Sequence, residues 1–190
     1  MLLWAGLGNP EPGMQANRHN IGFMAIDRIA ERHGFSPWRK RFKGEIAEGI
    51  IKGEKILLLK PMTYMNLSGE SIQPCIAFYK IPLDNLFVFH DEMDLIPAKI
   101  RIKKGGGAAG HNGLRSTDKM LGSQDYWRVR LGIGHPEDRS QVVRYVLGDF
   151  SKQDREWLDP FIDAVAEKAS LLTERKMDAY LSKVALLLKG

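Results

Sequence analysis

The sequence predicts an α/β protein, a mixed sheet flanked by helices and organised as one domain. Three observations carry this expectation. Apolar runs at 2–7, 56–59 and 86–89 are short and end at turn or polar residues, as strands do. Between them lie segments with helical spacing, such as Ile21, Met24, Ala25 and Ile29 ahead of Gly34. The two kinds of segment interleave along 190 residues, a length that suits one domain over residues 1–190.

Taken in order, the strand at 2–7 is broken by Gly8-Asn9-Pro10, and a loop over 10–13 leads to a helix from about His19 to His33. Segments 46–51 and 55–59 read as a hairpin around Lys52-Gly53-Glu54. A helix over 68–79 carries Pro74 in its interior, which costs it one backbone donor. The unbroken apolar run at 86–89 predicts a central strand buried on both faces. Residues 99–103 alternate cation and isoleucine, a half-buried strand, and are followed by a helix from about Asn112 and a strand over 127–133. From Lys152 onward, one or two amphipathic helices are expected.

Composition excludes several classes. Apolar residues make up 44% and charged residues 27%, which is ordinary for a globular protein and excludes wholesale disorder. No apolar run approaches the ~20 residues that span a bilayer, so no membrane partner is expected. Cys75 is the only cysteine, which rules out an internal disulfide and fits a reducing cytoplasm. The net charge of +5 says less than its placement. Residues 39–43 hold four cations and no acid. The window 99–119 holds six cations against Asp118 alone, while 84–94 holds four acids and no Lys or Arg.

Three asparagine-bearing turns share one character: Gly8-Asn9-Pro10, Met65-Asn66-Leu67 and His111-Asn112-Gly113. Each fits a turn or cap. Together at the ends of one small sheet they fit a cleft, since an amide offers donors and an acceptor without charge. His19 stands at the mouth of the first helix, and Asp91 ends the strand at 86–89, where ligands of open α/β sheets gather. A histidine and an orienting carboxylate make a base. The run His90-Asp91-Glu92-Met93-Asp94 also admits a metal reading, but lacks a second acidic cluster at a convincing spacing. Gly105 to Gly110 formally matches the G-x-G-x-x-G dinucleotide pattern, for which a mobile glycine loop is the simpler reading. Lys99, Arg101 and Lys103 share one strand face at about 6.6 Å intervals, comparable with nucleic-acid phosphate spacing.

In this order, GLGNP at 6–10, NRHNIGF at 17–23, KPMTYMNLSG at 60–69, HDEMDL at 90–95, KGGGAAGHNGLRS at 104–116 and RVRLGIGHP at 128–136 resemble the bacterial peptidyl-tRNA hydrolases. The resemblance implies a peptidyl-tRNA hydrolase-like fold and cleavage of the ester that joins a peptide to the terminal ribose of tRNA. It implies His19 as the base and Asp91 as the carboxylate that orients it. It implies that Asn9, Asn66 and Asn112 hold the ester, the peptide main chain and the attacking water, with Asn9 also separating blocked from free aminoacyl groups. Tyr64 and Met65 match the wall of the peptide groove, and Lys103 and Arg130 the tRNA-facing surface. The family needs no metal or organic cofactor, and a cytoplasmic monomer without a stable protein partner is expected. Three positions depart from the usual pattern. Met14 replaces a tyrosine and can pack against a sugar or base without donating a hydrogen bond. Asn17 replaces a threonine, and Ala108 replaces the first histidine of the glycine loop. A non-catalytic RNA-binding relative is the competing reading; the intact His19, Asp91 and asparagine set argues against it.

Overall fold

In the computed structural model, which describes residues 1–189, seven strands build one mixed sheet. They are β1 (Leu2–Gly6), β2 (Arg39–Arg41), β3 (Gly44–Ile51), β4 (Glu54–Pro61), β5 (Leu86–Glu92), β6 (Ile100–Lys104) and β7 (Trp127–Gly132), in the spatial order β2-β3-β4-β1-β5-β7-β6. β1 pairs in parallel with β4 and β5, and β5 with β7. The β2–β3, β3–β4 and β6–β7 pairs are antiparallel. The apolar run at 86–89 is interior as expected, held between β1 and β7.

Strand alternation divides the core in two. Leu2 and Trp4, Ile56 and Leu58, Phe87 and Phe89, and Val129 and Leu131 face one side. There they meet α1 (Ile21–Arg32), α5 (Arg155–Glu167), α6 (Ala169–Thr173) and α7 (Met177–Lys189). Leu3, Leu57, Leu59, Leu86 and Val88 face the other side, against α2 (Gly69–Tyr79) and α3 (Asn112–Leu121). A short α4 (Val142–Val146) lies between β7 and α5 in the chain.

Several expectations need correction. The tail beyond Lys152 forms three helices, because Lys168 and the left-handed Arg175 each interrupt the helical path. The hairpin turn is Lys52-Gly53 alone, both residues having positive φ, and Glu54 already pairs with Ile51. The strand before the glycine loop, β6, is an antiparallel edge strand. A dinucleotide fingerprint needs the parallel strand of a βαβ unit, so that reading falls. β2, the Arg-Lys-Arg strand, has no apolar residue to betray it.

Close approach of α1 to the sheet sets the position of its first turn. A Cβ on Gly22 would lie 2.5 Å from the Phe89 carbonyl oxygen and 2.6 Å from that of Leu7. One on Gly6 would lie 2.3 Å from the Gly22 carbonyl oxygen. Both neighbours are backbone and cannot yield cheaply. Gly22→Ala therefore destabilises the fold by roughly 1–3 kcal/mol in urea titration, the scale of an overpacked core. Wild-type stability in that variant would disprove the close packing.

Candidate active site

Asp91 lies near the carboxyl end of β5 and is 4% exposed. Its carboxylate faces two imidazoles. His19 sits in a single 3-10 turn (Arg18–Asn20) ahead of α1, with Nδ1 2.9 Å from Oδ1 and 2.8 Å from Oδ2. His111 immediately precedes α3, with Nε2 2.8 Å from Oδ1. The two rings therefore reach Asp91 from helices on opposite faces of the sheet, with centroids 5.0 Å apart.

Hydrogen bonding assigns the His111 tautomer. Its Nδ1 accepts from the backbone N–H groups of Gly113 at 3.1 Å and Leu114 at 3.3 Å, capping α3. Its proton therefore sits on Nε2 and is donated to Asp91. In His19 the nitrogen facing the carboxylate is Nδ1, which leaves the Nε2 lone pair to act as a base. Burial opposes a charged His19, but the Asp91 charge and hydrogen bond outweigh it and raise its pKa. For Asp91, burial favours the neutral acid, and the two histidines overcome it, holding the carboxyl well below its usual range. His90 packs against the His111 ring, centroids 5.1 Å apart, but leaves the carboxylate alone: it is buried, its Nδ1 lies 2.8 Å from the Asp91 carbonyl oxygen, and burial pushes its pKa down to about 3.

The loop after β1 is held by Asn20, a residue with no assigned role in the sequence motif. Asn20 is buried; its Oδ1 accepts from the Asn9 N–H at 2.5 Å, and its Nδ2 donates to the carbonyls of Asn9 at 3.0 Å and Met14 at 2.9 Å. Asn9 Oδ1 in turn accepts from the Glu11 N–H at 3.1 Å, so the donors its side chain still offers are those of the amide NH₂ group. Met14 and Asn17, two of the departures from the family pattern, touch each other: Asn17 Nδ2 donates to Met14 Sδ at 3.2 Å. The only signal for Asn20 in the sequence is its place directly after His19.

A cavity of about 340 Å³ opens beside Asp91. It is lined by His19, His90, Asp91, His111 and Asn112, roofed by Ala108 to Gly110, and walled by Val142, Val143 and Val146 of α4. Of the predicted site residues, His19, Asp91 and Asn112 line it. Tyr64 and Asn66 are exposed after β4, which is separated from β5 by β1. Met65 is 7% exposed and belongs to the core, because with Leu7 it forms the floor against which Gly113 packs. It supports α3 rather than forming an open wall.

On the β6 and β7 side, Arg101 is paired opposite Arg130, and Lys103 opposite Arg128. Lys103 is exposed, and its side chain lies along Gly106. Arg130 is half-buried and donates through Nε to Glu92 at 3.0 Å. Arg128, unremarked in the sequence, is buried and anchors the glycine loop, donating to the Gly107 carbonyl at 2.7 Å and to Asp118 at 3.0 Å.

Among the described residues, one group gathers metal-ligating atoms of His, Cys, Asp or Glu within 4.8 Å of one another: His19, Asp91 and His111. Their separations are those of N–H···O hydrogen bonds, with both imidazoles aimed at the carboxylate rather than at a common centre. The acidic run at 91–94 is not such a group. Successive strand residues leave a sheet on opposite sides, and Glu92 is turned to Arg130.

Comparison with known proteins gives the family of the chain. The family model for peptidyl-tRNA hydrolase matches residues 3–189. The chain belongs to the peptidyl-tRNA hydrolase family. It is 63% identical to the peptidyl-tRNA hydrolase of Granulibacter bethesdensis, over 98% of this chain and 96% of that protein. It is 64% identical to that of Acidiphilium cryptum, over 100% of this chain and 98% of that protein. The crystal structure of the Acinetobacter baumannii peptidyl-tRNA hydrolase superposes with a TM-score of 0.90 at 36% identity, covering 97% of this chain and 94% of that one.

The titration directions make stability depend on pH. An unfolded histidine titrates near 6.5, and folded His90 near 3, so acid favours the unfolded chain below pH 6.5. His19 works in the opposite sense: its pKa is raised, so its contribution is complete below 6.5 and is lost as pH rises through the raised value. Asp91, depressed, begins to lose its contribution only below about pH 4. Between pH 6.5 and 4.5 the His90 contribution thus falls by up to ~1.4 kcal/mol per pH unit. Urea midpoints measured across that window should drop, and His90→Asn should flatten the slope.

Proposed function

We infer that this chain, a peptidyl-tRNA hydrolase by family, cleaves the ester between a peptide and the terminal ribose of tRNA with His19 as general base. The observation that carries the reading is the geometry at Asp91: its carboxylate accepts the hydrogen bond of the His19 Nδ1–H and leaves the Nε2 lone pair free to take a proton from water. In the first step Nε2 removes a proton as the water oxygen bonds to the ester carbonyl carbon. The carbonyl oxygen becomes an oxyanion, for which the Asn9 amide is the proposed donor; such a donor contributes about 3–4 kcal/mol. The carbon–oxygen bond to the ribose then breaks, and the His19 proton goes to the departing hydroxyl. Asp91 supports the imidazolium between the steps, as in other His-acid pairs.

The same reading has Asn112 holding the attacking water and Asn66 the peptide main chain, beside Tyr64. Lys103 and Arg130 meet the tRNA backbone, with Met14 beside a sugar or base. Asn112 lines the cavity next to His111, which supports its place. Lys103 makes no ion pair among the described residues, whereas Arg130 is already tied to Glu92. The reading includes one domain acting as a cytoplasmic monomer. Its support is the single sheet, whose two cores draw on residues from Leu2 to Val184. Among the described residues, no helix is long and apolar enough to cross a membrane.

Two experiments test this. With an N-acetylaminoacyl-tRNA as substrate, His19→Ala should lower kcat by about 10²–10⁴-fold, the range of a lost general base. The wild-type rate should rise with pH through a midpoint above 6.5, because the base must be neutral. Asp91→Asn should move that midpoint down as it lowers the plateau. An unchanged midpoint would disprove the assigned pair. In tRNA binding, Lys103→Ala should reduce the slope of log affinity against log salt by roughly one, the release of one counterion. An unchanged slope would remove Lys103 from the tRNA surface.

A further inference from the structure

The carboxyl edge of the sheet carries a second basic site, on the opposite flank from Lys103. A cavity of about 510 Å³ is lined there by Pro10, Lys40, Arg41, Lys43, Glu45 and Met62, three cations against one acid. Its place in the fold is informative. Pro10 follows Asn9 on the loop after β1, Met62 follows the end of β4, and its N–H donates to the Lys43 carbonyl at 3.0 Å. The cavity therefore begins one residue from Asn9 and runs outward across the ends of β4, β3 and β2.

One of the three basic side chains, Arg41, is held in place. The Arg41 guanidinium carbon lies 4.1 Å from the Phe78 ring centroid and 4.7 Å from that of Phe42, so two aromatic faces fix it. Phe78 is 57% exposed, a cost that burial in the core would have avoided. The turn that carries the site, Phe42-Lys43, puts two consecutive non-glycine residues at φ of 55° and 53°. Glycine or asparagine would adopt that conformation more cheaply, and such strain concentrates at functional sites. Lys43 has only a loose exposed partner, Glu70 at 3.8 Å.

We propose that this cavity is a distal peptide subsite that favours an acidic side chain on the third or fourth residue from the ester. The inference rests on the reading of the active site given above. With the ester beside Asn9 and tRNA on the β6–β7 flank, the peptide leaves toward β4 and β3. β3 lies two strand spacings from β1, roughly 10 Å, which an extended peptide covers in about three residues. Charge complementarity then selects Glu or Asp at that distance.

The test compares N-blocked tetrapeptidyl-tRNAs that differ only in having Glu, Ala or Lys at the third residue from the ester. A second series places the change at the fourth. An N-acetylaminoacyl-tRNA, too short to reach the cavity, serves as reference. In one of the two series the wild-type enzyme should prefer Glu over Lys in kcat/KM by about fivefold, the scale of an exposed charge pair. The preference should shrink with added salt. The Arg41→Gln/Lys43→Gln variant should lose the preference while cleaving the short substrate at the wild-type rate, which also shows that it folds. Equal rates for Glu and Lys in both series, or a preference that survives in the variant, would overturn the subsite. Weaker binding of uncharged tRNA by the variant would overturn it too, because the patch would then be a tRNA contact. No cleavage of the short substrate by the wild type would instead overturn the active-site reading itself.

Discussion

One buried carboxylate organises the catalytic end of this protein. Asp91 is shielded from water, and burial favours its neutral form; two imidazole groups overcome this and hold it ionised. Neither histidine comes from its own strand. One enters ahead of α1 on one face of the sheet, the other ahead of α3 on the opposite face. The charge is therefore satisfied only when both helical layers are docked, which couples the site to the whole sandwich. The reverse dependence also holds. His111 can donate to Asp91 only because its other nitrogen accepts from the α3 backbone, so a helix cap selects the tautomer that serves the site.

The packing around this carboxylate follows the same logic of close approach. Gly22 lets α1 ride directly on the carbonyls of Leu7 and Phe89, and Gly113 lets α3 settle onto Met65 and Leu7. Each glycine lies two or three residues beyond its histidine, so any lift of the helix would carry the imidazole away. The surrounding loops are fixed by buried polar residues instead. Asn20 makes three hydrogen bonds to the loop after β1, and Arg128 ties the glycine loop to Asp118.

The elements legible in the sequence are those with a local signal. The strands at 86–89 and 127–133 and the helix from His19 show themselves through periodicity and terminal glycines. β2 and α4 do not: one is three cations at the sheet edge, the other a single turn of mostly valine. The site divides in the same way. His19 and Asp91 could be paired because each stood at an element end. Asn20, Arg128 and the capping role of His111 act through contacts between distant segments, which no window of the sequence contains. Arg128 is the plainest case, since a cation in a strand beside Arg130 reads as surface. Only the register places it under the loop, against Tyr126 and Asp118.

Met14 and Asn17 illustrate why two substitutions can count as one. Read along the chain, each departs from the family pattern separately, and each removes a hydroxyl group. In the fold they meet, with the amide of Asn17 donating to the sulfur of Met14. Asn17 is fully buried and Met14 partly so, and the Met14 carbonyl is held by Asn20. A thioether is a weak acceptor but a flexible one, able to fill the space a ring would occupy and still give the buried amide a partner. Restoring the tyrosine alone would take the sulfur acceptor from the buried amide, and restoring the threonine alone would take the amide donor from the sulfur. The pair is therefore a local solution to packing the loop that carries Asn9, and a substitution at either position must be read on both residues together.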